Sequence, residues 1–187
     1  MHHGRGHRQG RNRVDRHVCG DARGRARRFL TVNQAPGPDA SNDAATFAVG
    51  GWDATVLVCD AAQVADGKLY VLGGGWSLCG PGPFVHSLAV KIDVPWDQAN
   101  RKHALTARLV NEDGAPVALG DPPQELRFES EFEVGRPPGM VEGTPLIVPF
   151  AIGLGPIDLP ADAGYSWIVE IDGSEIARTS FRTRPSR

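Results

Sequence analysis

Few residues of this chain could carry a reaction. Beyond residue 50 it has two histidines, His86 and His103, and two cysteines, Cys59 and Cys79. His86 adjoins Ser87, but neighbours in a strand leave by opposite faces, the wrong geometry for a nucleophile and its base. His103 follows Arg101-Lys102 just ahead of an alternating segment and is expected to be solvated. Glu129, Glu131 and Glu133 share one face of a strand pattern, with carboxylates ~7 Å apart along the strand. That spacing could suit an inverting glycosidase pair or a Ca²⁺ site. A solvated outer face, whose charges discourage edge pairing, explains it better. No G-x-S-x-G, C-x-x-C or H-E-x-x-H occurs. The sequence therefore points away from an enzyme and names no catalytic residue, metal or cofactor.

The candidate ligand contacts are aromatic and amide groups. Pro95-Trp96-Asp97-Gln98, with Asn100 and Arg101, could present a platform and polar groups to a ligand such as a sugar, and Trp76 could share that surface. Trp76, Trp96, Asp97 and Gln98 are the residues to watch. The structural alternative is an inter-strand crossover, where the Trp closes the core and Asp97 caps a helical turn or two over 97–102. Gly73-Gly74-Gly75 ahead of Trp76 could admit a phosphate, yet neither G-x-G-x-x-G nor G-x-x-x-x-G-K-[ST] is met. No helix signal follows to supply a terminal dipole. A bulge or bend that only Gly tolerates, with Trp76 plugging one end of the core, fits better.

The elements that must position these groups are strands. From Trp52 the apolar period is two. Ala54–Asp60 reads as a buried strand, and Asp66-Gly67 as a hairpin turn with Lys68–Leu72 as its return strand. Alternation follows through Leu88–Val94, Leu105–Leu109, Leu126–Val134, Leu146–Ile152, Tyr165–Ile171 and Ile176–Thr183. About eight strands with Gly/Pro turns and almost no helix signal imply an antiparallel β-sandwich, immunoglobulin-like in preference to a closed barrel. Gly164-Tyr165 suits a tyrosine corner.

Composition agrees. The 187 residues include 23 Gly and 15 Pro, which favours turns and short strands over long helices. No apolar run approaches the ~20 residues of a membrane span. The net charge of -2 hides a split: residues 1–28 hold nine Arg against Asp15 and Asp21, a net of +7, and the remainder is acidic. Residues 1–50 show no apolar period and are expected to be a disordered Arg/Gly/His-rich tail and linker, with one β domain at 51–187. The tail could contact nucleic acid through phosphates, but no aromatic interleaves its arginines before Phe29. Arg27-Arg28 lacks the apolar stretch of an export signal, and His2, His3, His7, His17 and Cys19 lack the spacing of a metal site. A translation start near Val49 would make residues 1–48 upstream DNA read as protein. With three Cys, and Cys59 expected opposite Gly74 rather than Cys79, a disulfide is disfavoured and a cytoplasmic location expected.

The segment Asp60-Ala-Ala-Gln-x-x-Asp-Gly-Lys-Leu-Tyr-Val-Leu-Gly-Gly-Gly-Trp76 resembles the opening of a family of short bacterial proteins, common in actinobacteria, described as a domain of unknown function. Val94-Pro-Trp-Asp-Gln-x-Asn-Arg101 and Phe132-Glu-Val-Gly-Arg-Pro-Pro-Gly139 are similar to its later motifs. The resemblance spans roughly 54–184 and implies no activity and no catalytic residues. The expectation is a non-enzymatic binding or assembly module whose partner is another protein or a second copy. A glycan- or small-ligand-binding or hydrolytic protein is the alternative, and nucleic-acid binding through the tail the third reading.

Overall fold

The computed structural model describes residues 51–186, so the expectations for the tail and linker lie outside the described residues. Twelve strands follow in order. They are β1 (Asp53–Cys59), β2 (Ala61–Ala65), β3 (Lys68–Leu72), β4 (Leu78–Cys79), β5 (Gly82–Val94) and β6 (Lys102–Asn111), then β7 (Ala118–Leu119), β8 (Gln124–Glu125), β9 (Arg127–Glu133), β10 (Leu146–Leu159), β11 (Gly164–Ile171) and β12 (Ser174–Thr183). The count exceeds the expected eight because β4, β7 and β8 have two residues each, too few to show a period. β2 (AAQVA) is too rich in Ala to show one.

Two sheets carry the core. One has the order β1-β5-β10 and the other β4-β12-β11-β6-β9. All pairs are antiparallel except the short β4 with β12. Alternation sends Val56 and Val58 of β1 and Leu88, Val90 and Ile92 of β5 inward. From the second sheet Leu105, Ala107 and Leu109 of β6 and Trp167, Val169 and Ile171 of β11 join the same core. Aromatic contacts bridge the sheets, with Phe132 of β9 against Phe150 of β10 at 5.4 Å and Phe84 of β5 against Phe181 of β12 at 6.3 Å.

Three local devices explain the strand ends. The stretch expected as one strand over 126–134 breaks at Leu126. Upstream, β8 pairs with β7, and downstream β9 pairs with β6. Pro149 lies opposite Lys91 within β10, the edge strand of its sheet, where a missing amide donor is tolerated and the pairing runs on unbroken. A bulge between Leu154 and Ile157 bends the same strand around Gly155-Pro156.

The Asp66-Gly67 turn exists, but it joins β2 to β3, and β1 is not its other arm. β1 pairs along its whole length with β5. Asp66 (φ 50) and Gly67 (φ 68) are both left-handed, as a two-residue turn of this hand requires. The hairpin lies over the outer face of β5 and β10, which is why Ala89 is buried although its neighbours Leu88 and Val90 point to the core. At Gly73 (φ +61) a methyl group would collide with the Asp60 carboxyl group. Glycine there lets the chain leave β3 close beside the β1–β2 bend.

Candidate functional site

At one end of the double sheet, β5 runs through Pro95 into a single 3-10 turn, Trp96–Gln98. Pro95, not Asp97, precedes that turn, and no side chain caps it. Asp97 lies inside it and accepts a hydrogen bond from Gln98 Nε2 at 3.0 Å. The helix is shorter than the expected turn or two because Asn100 turns left-handed (φ 60) and its amide donates to Val134 O at 2.8 Å. The Arg136 guanidinium covers the Trp96 ring at 4.7 Å and donates to Trp96 O at 2.7 Å. One face of the would-be platform is therefore already occupied.

His103 corrects the sequence expectation. It is buried rather than solvated, and both ring nitrogens face acceptors. Nδ1 lies 2.8 Å from Asp172 Oδ2 and Nε2 lies 2.9 Å from Gln98 O. Trp52 meets its ring edge-on at 4.9 Å. Asp172 in turn accepts the Ala104 amide at 2.8 Å. Burial pushes the Asp172 carboxyl upward, but the bonds from His103 and Ala104, with the His103 charge, outweigh it and hold the group below its usual value. Asp172 (φ 50) and Gly173 (φ 81) form the β11–β12 turn, so this pair straps that turn to β6 and to the Trp96 turn. A signal for it exists in the sequence, since His103, Leu105, Ala107 and Leu109 keep the period of two.

Trp76 lies elsewhere. It packs edge-on against Phe84 (6.2 Å), His86 (6.0 Å) and Phe181 (5.6 Å). Phe84 and His86 begin β5, whereas Trp96 follows its end, a separation of roughly 30 Å along the strand. Trp96, Asp97 and Gln98 are thus brought together and Trp76 is not brought to them. His86 is fully buried, and Trp167 Nε1 donates to its Nε2 at 3.2 Å. Burial pulls its pKa down to about 4. His86 Nδ1 and Trp76 Nε1 have no hydrogen-bond partner among the described residues. Ser87 leaves the opposite face, and its carbonyl accepts the Cys59 thiol at 3.3 Å.

The remaining acidic candidates are spread along a strand edge. Glu129, Glu131 and Glu133 are exposed on β9, the edge of the five-stranded sheet. Glu133 stands opposite Lys102, and Glu129 pairs with Arg127. No group of three His, Cys, Asp or Glu among the described residues is placed to hold a metal ion. The tyrosine-corner expectation also shifts. Tyr165 stacks on Phe181 at 5.7 Å, and the neighbouring loop is pinned by Thr183, whose Oγ1 donates to Pro160 O at 2.6 Å.

The β2–β3 hairpin carries four exposed large apolar side chains. Tyr70 is 53% exposed and Leu72 69%, with Val64 and Val71 near 40%. Fold and surface together define a class: an all-β protein of mainly antiparallel sheets, with a two-stranded hairpin laid over the outer face of β5 and β10 that carries four of the exposed large apolar side chains. The chain belongs to a family of unknown function, DUF6941, whose family model matches residues 54–184. No curated protein matches it. No helix among the described residues is long and apolar enough to cross a membrane.

Proposed function

We propose that the chain is a non-enzymatic, immunoglobulin-like β-sandwich acting in the cytoplasm as a binding or assembly module, with the β2–β3 hairpin as its contact surface. Tyr70 and Leu72, exposed together on one face of that hairpin, carry the reading, because neighbouring exposed apolar side chains mark interaction sites. The immunoglobulin-like assignment is supported by strand order: β1-β5-β10 faces β12-β11-β6-β9, and the chain crosses between sheets from β5 to β6 and from β10 to β11. Free thiols at Cys59 and Cys79 suit a reducing compartment. A second reading keeps Trp96, Asp97 and Gln98 as ligand contacts, supported by the single turn they share, in which none of the three is buried.

Affinity capture of the full chain from its native host tests the module reading. A stoichiometric protein partner retained by the natural chain and lost from Tyr70→Lys is expected. Equal retention by the variant, or turnover of a small-molecule or glycan substrate by the purified chain, would contradict it.

A further inference from the structure

The open edge of β3 selects a particular partner. A two-residue turn closes on a hydrogen-bonded pair, Ala65 with Lys68, and bonding alternates from there. Lys68, Tyr70 and Leu72 therefore point their amides and carbonyls at β2. Those of Leu69 and Val71 point away, and no strand among the described residues takes them.

The long edges of the two larger sheets are guarded, and β2, the second edge of the hairpin, is the arm that packs more closely on β5 and β10. On β9, antiparallel self-pairing centred on Glu131 would oppose Glu129 to Glu133 and Glu131 to itself. β10 carries Pro149 and the Leu154–Ile157 bulge, and the outer side of β1 has β12 packed beside it. β3 has only Lys68 at its start: KLYVL holds no acid, no proline and no bulge.

Resting on the module reading, we infer that β3 pairs antiparallel with β3 of a second copy of this chain, in a register centred on Tyr70. That register sets Leu69 opposite the other copy's Val71, so the unpaired amides and carbonyls of both strands meet. It sets Lys68 opposite Leu72, keeps the two lysines apart and lets each lysine stem cover a leucine. The contact is isologous and closes as a two-fold dimer. The result is a continuous four-stranded sheet, β2-β3-β3-β2, with Tyr70 and Leu72 on its outward face. A five-residue strand covers less than the ~800 Å² per partner of a standard interface, so the dimer is a weak one, with Kd on the order of 10–100 μM.

Sedimentation velocity on the full chain, from about 5 to about 500 μM, tests this by mass action. The natural chain is expected to pass from monomer to dimer over that range. Tyr70→Lys and Tyr70→Glu each place like charges at the dyad and are expected to stay monomeric. An equimolar mixture of the two is expected to regain dimer, which also shows that both are folded. A natural chain that stays monomeric at the highest concentration overturns self-pairing. So do variants that dimerise as well as the natural chain, and a mixture that stays monomeric overturns the register. In each of these cases hairpin-dependent capture of a different protein leaves the module reading standing, while loss of both results removes it as well.

Discussion

His86 shows how a titratable side chain can be packed into an apolar core. Its ring is walled by Trp76, Phe84, Trp167 and Phe181, and it accepts one hydrogen bond from Trp167. Burial lowers its folded pKa to about 4, below the ordinary value of 6.5. The unfolded chain therefore binds the extra proton first as pH falls. Stability is expected to be full above about pH 6.5, to decline as pH falls from there to about 4, and to lose a few kcal/mol over that window. Denaturant titrations across the window check this, and His86→Phe should flatten that part of the slope even though it leaves Trp167 without its acceptor. A slope unchanged in His86→Phe would show that other groups carry the acid response. His103 behaves differently: flanked by the Asp172 carboxylate and Gln98 O, it holds two segments together. The inward position of His103 was legible in its period with Leu105, but the partners of neither histidine were. The partners Trp167 and Asp172 lie 81 and 69 residues away, and a polar residue at an inward position looks like the end of an apolar pattern.

At the scale of elements, the period of two exposed most long strands because a sheet with one dry face imposes it. Asp66-Gly67 gave the hairpin for the same local reason, that its two residues must take positive φ. Pairing partners were not local. β1 and β2 are nearly one extended run bent at Asp60, so the turn alone could not say that β1 belongs to β5 and only β2 to β3. The triple glycine was legible as a bend but not as to its cause, the Asp60 carboxyl group packed over Gly73. Gly73→Ala is expected to destabilise by about 1–3 kcal/mol, combining positive φ with the collision. Asp60→Gly in the same chain should recover part of that loss, because it removes the colliding group and leaves the backbone strain. Urea unfolding of the three variants decides the matter, and strictly additive losses would contradict the geometry.

For the whole molecule, two paired sheets bury both histidines of the β region, leave Asp97 and the Glu129–Glu133 carboxylates exposed, and carry an apolar hairpin on the outside. Class was readable from composition and period, since Gly and Pro turns with alternating segments leave few other architectures. Sheet order and the convergence of side chains were not, because they depend on which strands cross. That is why Trp76 packs on the core beside the start of β5, whereas Trp96 follows the end of β5 beneath Arg136. The claim that matters most is that contact runs through the hairpin and not through the acidic β9 edge. Photo-crosslinking in the native host tests it directly, with benzoylphenylalanine at position 70 in one strain and at position 131 in another. Discrete protein adducts at 70 and none at 131 are expected. Adducts at 131 alone would contradict the account.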